Sequence, residues 1–304
     1  MVLIQCCTFK GDNKKSDAQV VYGGAVEEIV PIAGIPDNLG VWVSGQNATS
    51  FKINVAKNLN TNVVRHVINL ATFTGTDKVY NVYTDSGLFI ALTVANRAFS
   101  DAPKPFRKDT AEFREELENL LNRLPAMPLY VALDNEENNV SYYTGSRLDY
   151  IPLLKIAVDV CHQYGVPCTN GGFASYGSRI WAQQKRESRA VLTLHPRRID
   201  TLLQAYRNIP IDWLNVHIYS KNLSQAEKAG DDFKEFIIQS GGMLVMSNET
   251  GILTNDSYIA DMHLTSIMPV VESAIWFSGT KSDNVCVHDE NSGLSDVGMV
   301  VKNY

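Results

Sequence analysis

Leu129-Tyr130-Val131-Ala132-Leu133-Asp134-Asn135-Glu136-Glu137-Asn138-Asn139 runs five apolar residues straight into a cluster of carboxylates and amides. The first half reads as a strand buried on both faces, because apolar side chains fill every position instead of alternating. The second half is the polar tip where that strand ends. Met243-Leu244-Val245-Met246-Ser247-Asn248-Glu249-Thr250-Gly251 repeats the arrangement, and Asn-Glu occurs only at these two places in the chain. Two glutamates delivered by two strand tips suit acid-base and nucleophilic work on a glycosidic bond.

Outward from this pair, the chain alternates strands and helices. Strands are predicted at Leu39–Val43, Asn62–Leu70, Leu88–Ala95, the opening stretch, Val166–Phe173, Trp213–Tyr219, the stretch ending in Asn248-Glu249, and Ser273–Phe277. Helices are predicted between them. The clearest follows Asp109, a capping residue with Glu112 three positions on, and carries Phe113, Leu117, Leu120, Leu121 and Leu124 as one apolar stripe. Others run over 47–58, 77–84, 148–164 with Gly165 as the stop, 231–239 and 256–268. Another lies around Ile199, Leu202, Leu203 and Tyr206, and a last one starts at Ser295. The stretch from Trp181 to Arg189 reads as a basic, polar excursion. Eight strand-helix pairs in this order argue for a single (β/α)8 TIM barrel over residues 20–304, and the two Asn-Glu tips lie nearly three such units apart. An open doubly wound sheet is the alternative, but it rarely needs eight such units.

The composition is that of a globular α/β protein: 304 residues, 45% hydrophobic, 20% charged, net charge −6. No basic run tracks phosphates, so nucleic acid is not expected as a partner, and no apolar stretch approaches the ~20 residues of a membrane span. Five scattered cysteines do not make a disulfide framework. The six histidines show no metal-ligand spacing, so neither metal nor cofactor is expected. Residues 1–19 read as a tether. Their apolar stub ending in Cys6-Cys7 resembles the tail of a bacterial lipoprotein signal, which would anchor Cys6 or Cys7 to lipid and imply export. The alternative is a plain N-terminal tail, for the stub lacks a basic region and Gln5 stands where a small residue is usual. Val20 to Ile35 reads as a hairpin or lid before the barrel, and a monomer is expected.

In a barrel of this kind the active site lies at the C-terminal ends of the strands. That gives Arg65 on strand two, Asn96 after strand three, Asn135 and Glu136 after strand four, His217 and Tyr219 on strand six, Glu249 on strand seven and Trp276 on strand eight. Each has an ordinary explanation as well. His217 or Tyr219 alone is more often a satisfied core group, Trp276 alone is most often core, and a single Asn-Glu is more often a solvated loop. Arg65 needs a carboxylate partner, because burying a guanidinium alone is costly.

Taken together, these residues resemble clan A of the glycoside hydrolases, retaining (β/α)8 enzymes. Their pattern has an arginine on strand two, Asn-Glu ending strand four and His-x-Tyr ending strand six. A glutamate ends strand seven and a tryptophan lies on strand eight. Arg65, Asn135-Glu136, His217-Ile218-Tyr219, Glu249 and Trp276 match it in order. Many members carry a histidine after strand three, where this chain has Asn96-Arg97, and no single family within the clan stands out. The resemblance implies that Glu136 is the general acid/base and Glu249 the nucleophile. Asn135 would bind the 2-hydroxyl, Tyr219 would hydrogen-bond the nucleophile, Arg65 would lower its pKa and Trp276 would floor the sugar subsite. Trp42, Tyr176 and Trp181 are candidates to stack on further sugars. The expected function is hydrolysis of a β-linked bond in a poly- or oligosaccharide. The competing readings are a non-catalytic glycan-binding barrel and a metal-dependent barrel enzyme of another class.

Overall fold

The computed structural model describes residues 38–45, 48–96, 103–191, 193–279 and 286–304. The tether over 1–19, the hairpin over 20–35 and Arg97 lie outside the described residues. The eight predicted strands appear as β1 (Leu39–Val43), β2 (Val63–Asn69), β3 (Phe89–Ala95), β5 (Tyr130–Leu133), β7 (Cys168–Asn170), the pair β8 (Leu214–Asn215) and β9 (Ile218–Ser220), β10 (Val245–Ile252) and β11 (Ala274–Ser278). The sixth strand is interrupted at Val216 and His217. A short pair not read from the sequence, β4 (Lys104–Pro105) with β6 (Tyr143–Thr144), joins the loops after β3 and β5.

The strands hydrogen-bond in the order β7-β5-β3-β2-β1-β11-β10-β8, with β9 beside β10, and every pairing is parallel. This ladder traces a half-barrel clad in helices. Between its two ends, single parallel bridges link Thr169 to Trp213 and Phe173 to Val216.

Alternation along each strand sorts side chains into two cores. Val63, Ala91, Tyr130, Ala132, Met246 and Ile275 pack with one another and with Trp42 and Trp213 on the inner face of the sheet. Their neighbours Val64, Leu92, Val131, Leu133, Val245, Ala274 and Trp276 join the larger core that includes the helices. Both faces are therefore buried, which is why the strands read as unbroken apolar runs. Gly40 is needed on the inner face, where a Cβ would stand 2.5 Å from Ile275 Cδ1 and 2.9 Å from the Val63 carbonyl oxygen.

The helices are α1 (Thr49–Asn58), α2 (Lys78–Asp85), α3 (Thr110–Arg123), α4 (Tyr150–Gln163), α5 (Ser175–Arg186), α6 (Leu194–Tyr206), α7 (Leu223–Glu227), α8 (Ala229–Ser240), α9 (Ser257–Ile267) and α10 (Asp296–Lys302). Asp109 caps α3 by accepting from the Ala111 and Glu112 amides, and Asp77, Asp256 and Ser295 cap α2, α9 and α10. Phe113, Leu117, Leu120 and Leu121 of α3 are fully buried, each contributing about 1.5–3 kcal/mol. The polar excursion over 181–189 is mostly helix: Trp181 and Ala182 of α5 are buried, while Lys185 and Arg186 pair with Asp200 and Asp232. No helix among the described residues is long and apolar enough to cross a membrane.

Candidate active site

Arg65 is the hub. It projects from β2 and is 3% exposed. Its Nε donates to Thr93 Oγ1 at 2.9 Å, one terminal nitrogen to Glu249 Oε2 at 2.6 Å and to the Asn248 carbonyl at 3.1 Å, and the other to Asn135 Oδ1 at 2.8 Å. The guanidinium lies 4.1 Å from the centre of the Trp42 ring. One side chain thereby ties strands β2, β3 and β10 to the tip of β5.

Glu249 reaches this position because β10 bulges. Ser247 pairs with Ala274 but Thr250 pairs with Trp276, so β10 carries one residue more than β11 between the two pairs. In an unbroken strand Asn248 and Glu249 would face opposite sides. The bulge lets both point into the site. Tyr219 Oη donates to Glu249 Oε1 at 2.9 Å. Burial alone would raise the Glu249 pKa, but the charges on His217 and Arg65 and the hydrogen bonds from Arg65 and Tyr219 outweigh it and hold the carboxyl below the ordinary glutamate range.

Glu136 sits at the tip of β5 on a backbone that turns left-handed twice, at Asp134 (φ 63°) and at Glu136 itself (φ 52°). Such conformations cost a non-glycine residue about 1–2 kcal/mol and cluster where function requires them. Here they present Asn135 to Arg65 and Glu136 to His217. Glu136 Oε1 lies 3.2 Å from His217 Nδ1, and Asn139 Nδ2 donates to Oε2 at 2.6 Å. His217 is fully buried, with Nε2 2.8 Å from Asn248 Oδ1. Burial disfavours its protonation, yet the charge on Glu249 and the contact with Glu136 raise its pKa overall.

Carboxylate oxygens of Glu136 and Glu249 and a nitrogen of His217 lie within 4.8 Å of one another. Among the described residues these three form the group that could hold a metal. The donor set suits one poorly, since Arg65 and Tyr219 already donate to Glu249 and a guanidinium 2.6 Å away repels a dication.

The structure thus brings Arg65, Asn135, Glu136, His217, Tyr219 and Glu249 together. It separates two others. Trp276 is 1% exposed and belongs to the helix-side core, its ring 5.9 Å from that of His263 on α9. It therefore does not floor a sugar subsite. Strand alternation gives the inward position to its neighbour Phe277, which meets Trp42 edge-on at 5.1 Å and Tyr219 at 6.1 Å. Asn96, 3% exposed, turns aside: its backbone N–H donates to Asp134 Oδ1 and its side-chain Oδ1 accepts from Arg107. Trp181 is also core, stacked on Phe236, and donates to Asp200. Glu137 is fully buried, accepting from Asn170 and Tyr206 at 2.8 Å, and burial raises its pKa.

Sequence reasoning missed Thr93, Asn139, Tyr142 and Phe277. Tyr142 is half-buried, and burial followed by the charges of Glu136 and Glu249 pushes its hydroxyl up to about 12. The run Asn138-Asn139 after Glu136 was the available signal for Asn139. For the others nothing in the local sequence distinguishes site from core.

No protein-family model and no curated protein sequence matches the chain. Solved structures do. A glucosidase from Croceicoccus marinus superposes with a TM-score of 0.66 at 11% identity, covering 89% of this chain and 67% of its own. A GH128 endo-β-1,3-glucanase from Sorangium cellulosum gives 0.58 at 12% identity, covering 87% and 97%. A GH30 endoxylanase from Clostridium papyrosolvens gives 0.57 at 11%, covering 87% and 70%. The fold of this chain is accordingly the one shared by the GH5, GH30 and GH128 glycosidases of clan A, with no single family among them picked out.

Proposed function

We propose that this protein is a retaining glycoside hydrolase acting on a β-linked, equatorial bond of a poly- or oligosaccharide, and that its strands close into a full (β/α)8 barrel across the Thr169–Trp213 and Phe173–Val216 bridges. The observation that carries the reading is the pair of opposed carboxyls with oxygens within 4.8 Å, one of them held ionised by Arg65 and Tyr219. Retaining enzymes place their carboxyls about 5–5.5 Å apart, whereas inverting ones need about 6.5–9.5 Å to admit a water.

Glu249 attacks the anomeric carbon while Glu136 gives its proton to the departing glycosidic oxygen, leaving a glycosyl ester on Glu249. Glu136, now a carboxylate, takes a proton from water as that water attacks the same carbon and releases Glu249, so configuration is retained overall. Asn135, fixed by Arg65, offers its amide NH2 to the sugar 2-hydroxyl, and Trp42 with Phe277 supplies apolar surface for the ring.

Incubation with an activated 2-fluoro glycoside tests this by trapping the ester. Mass spectrometry is expected to place the label on Glu249, and Glu249→Gln is expected to abolish turnover. Full activity in that variant, or labelling elsewhere, overturns the mechanism.

A further inference from the structure

We infer that the leaving-group side of the site accepts a sugar bearing an anionic group, a carboxylate or a sulfate. This rests on the glycosidase reading, because it is Glu136, as proton donor to the leaving group, that marks this side. The loop that carries Glu136 continues through Asn138 and Asn139. Asn139 holds the Glu136 carboxylate, and the Asn138 carbonyl accepts from Arg198 of α6 at 3.4 Å. α6 and α5 begin side by side here: a Cβ on Gly177 would stand 3.2 Å from His195 Cβ, and the Tyr176 ring meets the His195 ring edge-on at 6.3 Å. Tyr176 is 71% exposed, an aromatic face open to solvent beside His195.

The charges in this corner do not balance. Arg147, His195 and Arg198 gather around the Glu136 loop, and among the described residues none of the three forms an ion pair. Arg147 is buried and spends its guanidinium on the Glu137 and Tyr143 carbonyls. The carboxylates acting on the cluster are those of Glu136, which the reaction uses, and Glu137, whose burial favours its neutral form. Burial lowers the pKa of Arg147, His195 and Arg198 alike, and Arg147 and His195 are lowered further by Arg198. A cluster of cations that oppose one another's protonation gains when a negative charge enters, and a partly desolvated arginine with a free guanidinium face suits a carboxylate or sulfate. Arg198 and His195 would take the anion, and Tyr176 would stack on the sugar that carries it.

The test uses the full chain and needs no turnover, so it can fail while the glycosidase reading stands. The His195 ring resonance, assigned through His195→Asn, is followed by NMR during titration with glucuronate, glucose 6-sulfate, glucose and inorganic sulfate. Glucuronate or glucose 6-sulfate is expected to bind at least 10-fold more tightly than glucose, and the tighter of the two identifies the anion. Arg198→Gln is expected to erase that preference. Glucose binding as tightly as the anionic sugars, inorganic sulfate binding as tightly as either, no response to any of them, or a preference unchanged in Arg198→Gln would each overturn the inference.

Discussion

Arg65 shows how a costly burial becomes useful. Its four hydrogen bonds satisfy a guanidinium that would otherwise be stranded among β-strands. Breaking a buried ion pair from one side costs about 3–5 kcal/mol, because the partner left behind keeps its desolvation penalty. Arg65→Met is therefore expected to lower unfolding stability by about that amount in urea titration. It is also expected to change the pH profile. With its pKa depressed, Glu249 stays ionised until pH falls below the ordinary glutamate range, so under the proposed mechanism the acid limb of kcat/KM is expected to lie low. Removing the arginine takes away a large stabilising charge, and the acid limb is expected to move upward. An unmoved limb would show that Arg65 does not govern Glu249 ionisation.

At the scale of single elements, the short turn after β7 is as demanding as any catalytic residue. Gly172 has φ 96°, and a Cβ there would lie 2.1 Å from His217 Nε2. His217 links Glu136 to Asn248, so pushing it disturbs both halves of the site. Misplacement by about 1 Å can cost on the order of 100-fold in rate. Gly172→Ala is expected to reduce kcat by about that factor while circular dichroism still reports the native helix and strand content. Elements were also where the sequence was most readable. Unbroken apolar runs marked the strands because both faces of the sheet are buried, and Asp109, Asp256 and Ser295 announced helix starts. The same double burial hid which face each strand residue occupies. Trp276 and Phe277 look equally plausible as site aromatics until the inner core containing Ile275 sets the alternation. α5 was lost for a related reason: its buried stripe is Gly177, Ser178, Trp181 and Ala182, small residues around one tryptophan, and the stretch from Trp181 to Arg189 reads as a basic, polar excursion.

Across the whole molecule, the strands and the helix layer are joined by buried polar contacts as well as by apolar packing. His263 of α9 meets Ser220 Oγ through Nδ1 and Thr250 Oγ1 through Nε2, each at 2.9 Å, tying α9 to β9 and β10. Burial, with a smaller push from Arg179, drives its pKa down to about 3. The unfolded chain then binds a proton that the folded chain refuses between that value and the ordinary histidine value of about 6.5. This part of the stability is fully present above about pH 6.5 and falls by up to about 1.4 kcal/mol per pH unit as the solution is acidified. Thermal unfolding followed from pH 8 to pH 4 is expected to show that decline, and His263→Gln is expected to flatten it. An equal slope in the variant would assign the acid sensitivity to other groups. The barrel-like order was legible at this scale because eight strand-helix units leave few alternatives. Contacts such as this one were not, since Ser220, Thr250 and His263 are scattered along the chain and become neighbours only through the fold.

The extra residue in β10 carries a further implication. A bulge is one residue long, so deleting either Asn248 or Glu249 would restore regular pairing with β11 and leave a single residue opposite Ile275 on the inner face, where the bulge now presents two. Arg65 would keep Thr93 and Asn135 as partners but lose its contact with the deleted residue. One inserted residue is thus the difference between a strand that offers the Arg65 cluster an amide or a carboxylate and one that offers it both.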